Sequence, residues 1–138
     1  VYGRTDGYLC TEIALDASAS TPRLLDALPA HADLLHRIAS SADPSTRAHH
    51  NYGVSDGAGF AAMGTVETLL HTYDIVRGLN PADPWLPPGE LAQPVIDRLF
   101  PDPPSGDPTE VLMYLCGRAP LRDLPRRTEW RWDGRVRD

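Results

Sequence analysis

The stretch that most constrains this chain runs from Ser55 to Leu79, SDGAGFAAMGTVETLLHTYDIVRGL. It reads as the longest helix. Ser55 or Asp56 can cap its N-terminus by accepting a hydrogen bond from a free backbone N–H. Phe60, Met63, Leu70 and Ile75 recur near helical spacing and mark an apolar stripe. Glu67, His71 and Asp74 fall within it, because residues three and four apart share a helix face. Carboxylates are rarely buried without a partner. A Glu and a His on an apolar face therefore need one, and a divalent metal ion fits.

The rest of the chain sets the frame. Its 138 residues suffice for one domain with a real core. Hydrophobic content is 41%, and no segment is apolar enough to cross a membrane. A net charge of −6 argues against a nucleic-acid partner. All 13 basic residues are Arg, which with the abundant Ala, Pro, Gly and Asp points to a GC-rich genome rather than to a function. Cys10 and Cys116 lack metal-type spacing; two free thiols in a reducing compartment, hence a cytoplasmic protein, is the plainer reading. No signal peptide is visible. The chain begins at Val1, so the expectation is that residues encoded upstream are missing.

In chain order, Val1 to Ser18 reads as loop followed by a short apolar piece, LCTEIALD, strand or extended, packing on the helices. A helix opens at Thr21, with Ser20 or Thr21 as cap and Pro22 in the first turn, and runs to about Ala42. Leu24, Leu28, Leu35 and Ile38 form its stripe, and Pro29 should kink or divide it. His31 and His36 read as polar surface positions. Asp43 to Val54 is a loop carrying His49 and His50, either a solvated turn or the rim of a pocket over Glu67 and His71. After the break at NPADPWLPP, a helix spans roughly Gly89 to Phe100 with Leu91, Val95, Ile96 and Leu99 inward. Another spans Thr109 to Arg118 with Val111, Leu112, Tyr114 and Leu115. From Arg118 onward seven Arg face four acids. Arg beside Trp130 and Trp132 is a pattern of nucleic-acid stacking, but an arm whose Trp residues cover the core accounts for it better.

The chemistry rests on Glu67-x-x-x-His71. Two ligands one helical turn apart can hold one ion without distorting the backbone. Imidazole with carboxylate suits Zn²⁺ first, and also Ni²⁺, Fe²⁺ or Mn²⁺. Asp74 can orient His71 from outside the ligand shell or bond elsewhere in the bundle. The same pair also occurs as an ordinary contact on solvated faces; the apolar context is what favours the metal.

The run from Arg47 to Leu79, RAHHNYGVSDGAGFAAMGTVETLLHTYDIVRGL, resembles the signature of the DinB-like superfamily. More narrowly, it is similar to the metal-binding domain of mycothiol-dependent maleylpyruvate isomerases. Glu67, Leu69, His71, Tyr73, Asp74, Ile75 and Leu79 carry the pattern E-x-L-x-H-x-[WY]-D-[IL]-x-x-x-L, with Gly53, Asp56, Gly59 and Phe60 before it. RLFP from Arg98, the GR after Cys116 and the late WRWD resemble a subgroup of such proteins. The resemblance covers nearly all of residues 1–138. It implies an all-α, up-down-down-up four-helix bundle with long loops and an irregular C-terminal arm. It also implies a divalent metal held by three protein ligands, two of them Glu67 and His71. Mycothiol or another low-molecular-weight thiol would attack a small electrophile, the metal keeping it ionised, which makes the protein a thiol-dependent transferase or isomerase.

One departure stands out. The family's third ligand is a His on an N-terminal helix, and no such segment precedes Leu9. The expectation is that this helix has been removed or lost; His50 or His49 would then have to move in, a partner chain would fill the gap, or the site is empty. A homodimer is expected to cover the exposed face. Beyond the metal ligands no catalytic residue is assigned. The alternatives are a non-catalytic metal- or small-molecule-binding bundle, and a degenerate structural member in which Glu67 and His71 bond each other.

Overall fold

The computed structural model describes residues 4–8, 14–82 and 85–137. Four helices follow in order: α1 (Thr21–Ser41), α2 (Gly57–Leu79), α3 (Gly89–Leu99) and α4 (Pro108–Leu115). Among the described residues extended backbone pairs only at two isolated bridges, Ala48 with Ser55 and Leu121 with Leu124. The fold is all-α. The apolar piece expected near the N-terminus falls mostly on residues 9–13, outside the described set, as does Cys10.

Local chemistry explains where the helices start and stop. Asp56 caps α2, its carboxylate accepting the Gly59 N–H at 2.8 Å. Asp107 caps α4 by accepting from the Thr109 and Glu110 N–H groups at 3.0 and 3.2 Å, with Pro108 in the first turn. That helix stops short of the expected Arg118. Gly117 adopts a left-handed backbone, φ 67°, and its N–H bonds the Tyr114 carbonyl at 3.0 Å. A Cβ at Gly117 would also lie 2.8 Å from the Arg127 carbonyl and from the Trp130 ring. In α1, Pro29 lies inside one continuous helix and does not divide it. The carbonyl it leaves without an N–H belongs to Leu25, an exposed residue, so water can satisfy it.

The core is built by α2, α3, α4 and the C-terminal arm. Met63, Val66, Leu69 and Leu70 of α2 meet Val95, Ile96 and Leu99 of α3 and Val111, Leu112 and Leu115 of α4. Trp132, only 6% exposed, closes it from the arm. Consecutive helices pack on one another, α1 on α2, α2 on α3 and α3 on α4. Leu91 is 47% exposed, contrary to the inward position expected, and Ala92 takes the buried place. Tyr114 is only partly buried, and Met113 is buried instead.

The arm is irregular and is fixed by specific bonds. Asp133 N–H donates to the Leu99 carbonyl at 2.8 Å and Gly134 N–H to the Tyr52 carbonyl at 2.7 Å. Arg98 ties this arm to the start of α2. Its Nη2 donates to Asp56 Oδ1 at 2.9 Å and Ser55 Oγ at 3.3 Å, and its Nη1 to the Arg135 carbonyl at 3.1 Å. Burial alone would raise the Asp56 pKa. The bonds from Arg98 and the Gly59 N–H outweigh it and hold the carboxyl below its ordinary value.

The first helix differs from the others. None of its 21 residues is buried. The stripe expected to face a core is open: Leu24, Leu28 and Ile38 are exposed and Leu35 is partly covered. It approaches α2 closely at two glycines. A Cβ at Gly57 would meet the Ala39 carbonyl oxygen at 2.6 Å, and one at Gly64 would meet Leu35 Cδ2 at 2.5 Å.

Candidate functional site

Glu67, His71 and Asp74 share one side of α2, as their spacing requires. Glu67 Oε2 lies 2.9 Å from His71 Nε2, a direct carboxylate–imidazole contact across one helical turn. The side chains are 50% and 65% exposed, which corrects the expectation that they interrupt a buried stripe. The reason is rotational. The buried face runs through Met63, Val66, Leu69 and Leu70, whereas Ile75 is 58% exposed and Phe60 only partly covered. A stripe drawn through those last two lies more than a third of a turn, roughly 140°, from the centre of the true core face at 100° per residue.

Asp74 does not orient His71. Its Oδ2 is 3.9 Å from His71 Nδ1, too far for a hydrogen bond. The carboxylate bonds Arg118 instead, which donates from Nη2 to Oδ2 at 2.7 Å and from Nε to Oδ1 at 3.3 Å. This two-pronged bond raises the Arg118 pKa further, against a smaller desolvation effect. The guanidinium also sits over the Trp130 ring, 5.1 Å from its centroid. Sequence reasoning missed Arg118 as a functional residue. The only signal was the GR after Cys116, which says nothing of a partner 44 residues away.

The two loop histidines part company. His50 packs into an aromatic cluster, stacked on Trp132 at 6.2 Å and edge-on to Phe60 and Tyr52. Its Nδ1 accepts the Tyr52 N–H at 3.1 Å, which places the proton of the neutral ring on Nε2. Burial lowers its pKa, the His49 charge adds to this and the Glu67 carboxylate opposes it. The charge of Glu67 thus reaches His50. His49 points elsewhere, edge-on to Tyr8 at 4.7 Å in a cleft beside α1.

Two further groups complete the neighbourhood. Cys116 is a free, buried thiol whose pKa burial pushes up to about 12, so it stays protonated and unreactive at neutral pH. Trp132 buries its indole N–H, and among the described residues nothing accepts it, a costly omission. Neither His31 nor His36 joins the site. His31 Nδ1 donates to the Ala27 carbonyl at 2.7 Å, and both side chains stay on the exposed surface of α1.

Among the described residues no three His, Cys, Asp or Glu side chains converge on one point. The arrangement therefore offers two facing donors, a neutral imidazole nearby and a fixed cation held by Asp74. No family model matches the chain, and neither a curated protein nor a solved structure matches it. Among the described residues no helix is long and apolar enough to cross a membrane.

Proposed function

We propose that this chain is a divalent-metal-binding helical bundle of the DinB-like kind, acting as a thiol-dependent transferase or isomerase on a small electrophile. The observation that carries the reading is the 2.9 Å approach of Glu67 Oε2 to His71 Nε2 on an accessible face of α2. The donor chemistry fits two ligands of a Zn²⁺-type ion, with Glu67 and His71 holding it. When bound there, the ion would keep a coordinated thiol such as mycothiol ionised at neutral pH.

The remaining residues have roles of their own. Arg118, bonded by Asp74 and lying over Trp130, ties α2 to the segment after α4 and fixes the Asp74 carboxylate beside His71. His50 stays neutral through burial and would serve as a third ligand only after giving up the Tyr52 N–H, since its acceptor nitrogen is already used.

A second reading has its own support. Exposed Glu and His four apart form the same contact without a metal, and Asp74 is already committed to Arg118. On that reading the protein binds a metal or a small molecule without catalysis, or the pair is purely structural. Elemental analysis of the purified protein and of Glu67→Ala and His71→Ala after Zn²⁺ loading separates the readings. About one equivalent lost in both variants supports the metal centre. No metal in the unaltered protein at saturating Zn²⁺ removes it, and metal without thiol-transfer activity leaves the binding protein.

A further inference from the structure

The described residues enclose a cleft of about 360 Å³ between α1, the segment around Tyr8 and the loop entering α2. Its size lies within the range of small-molecule sites. One wall is the C-terminal half of α1, where Leu35, Ile38 and Ala39 fall at the i, i+3, i+4 spacing of a single helix face, with the capping residue Ala42 just beyond. Phe60 of α2 and Ala48 of the loop form the opposite wall. Gly57 sets the separation, because only a residue without a Cβ lets α2 start beside the Ala39 carbonyl.

The polar groups at the cleft are of two kinds. Some are already used: Asp56 and Ser55 by Arg98, and the His49 N–H by the Arg4 carbonyl. The others keep an unspent donor. The Tyr8 hydroxyl accepts the Asn51 N–H at 3.3 Å, which leaves its own hydrogen to donate. The His49 ring, partly buried, rests on Tyr8 and has no hydrogen bond on either nitrogen among the described residues. Arg4, paired with Asp6, adds a positive charge on the same side.

We propose that this cleft is a second ligand site, separate from the Glu67–His71 face, for a small apolar molecule that carries one hydrogen-bond-accepting carboxylate. The apolar body lies between α1 and Phe60. The carboxylate meets the ring of His49 and the hydroxyl of Tyr8.

The test is an amide-resolved NMR titration with 1-naphthaleneacetate, with 1-methylnaphthalene as the probe lacking the carboxylate. Saturable shifts are expected at Ala39, Ala42, Ala48 and Gly57. The carboxylate probe should bind about tenfold tighter than the hydrocarbon, the worth of one charged hydrogen bond. His49→Ala should remove that advantage. Ala39→Phe, on a helix that buries nothing, fills the cleft and should abolish the shifts, while Glu67→Ala leaves them unchanged. Shifts centred on Leu24 to Leu28 or on His71, equal affinity for the two probes, binding that survives Ala39→Phe, or no saturable shift at millimolar probe would each overturn the proposal.

Discussion

Helices α1 and α3 are both amphipathic, both carry a proline inside, and they meet opposite fates. The 11 residues of α3 bury Ala92, Val95, Ile96 and Leu99, whereas the 21 residues of α1 bury none. The difference lies in the neighbours. α3 is sandwiched between α2 and α4, while α1 touches α2 along one edge defined by Gly57 and Gly64. An apolar stripe creates a demand for burial, and only a second packing surface meets it.

The sharpest way to break this comparison is truncation on each side of it. Leu99→Ala should cost about 3 kcal/mol, since a fully buried leucine leaves a cavity. Leu28→Ala on α1 should cost no more than about 0.5 kcal/mol. Urea unfolding midpoints decide it, and equal losses would mean that α1 belongs to the core after all. Next in size is Arg98→Ala, expected to lose about 2 kcal/mol because it leaves Asp56 and the arm carbonyls without their donor. Arg98→Lys should recover only part of this, lacking the fork that reaches both elements.

The two glycines of α2 probe its contact with α1. Gly57→Ala meets a backbone oxygen that cannot step aside, so a loss of about 1–2 kcal/mol is expected, with faster amide exchange in α1 than in α3. Gly64→Ala meets only the end of the Leu35 side chain. The better helix propensity of Ala, up to about 1 kcal/mol, should make it neutral or stabilising. The smallest effects are those of pH. Because burial lowers the His50 pKa below 6.5, the unfolded chain binds the extra proton, and stability present above pH 6.5 is lost as pH falls through that window. His50→Gln should flatten this slope. Asp56, held below 3.8, contributes stability above that value that is lost as pH falls through its folded pKa. Asp56→Asn should remove that acid limb in a pH series of thermal melts.

Much of this architecture was legible in the chain. Asp56 marks the start of α2 by local chemistry and the proline-rich break precedes α3, so both begin about where expected, and α4 begins at Pro108, one residue before the expected Thr109. The approach of Glu67 to His71 follows from the helical repeat alone. Their exposure did not, because counting Phe60 and Ile75 as core while passing over Val66 and Leu69 rotated the inferred face. Periodicity also showed that α1 has an apolar side but not whether anything covers it. The Asp74–Arg118 bond and the opposite facing of His49 and His50 are products of tertiary packing, which no local spacing encodes.

The bonds of the arm carry a consequence for how the chain acquires its shape during synthesis. Leu99, Tyr52 and Arg98 all wait for partners between Asp133 and Arg135. Until those residues leave the ribosome, the inner faces of α2, α3 and α4 lie open beneath the place of Trp132. The core therefore closes only after Asp133 to Arg135 have emerged, and a nascent chain stalled before Asp133 would be the species most exposed to proteases and chaperones.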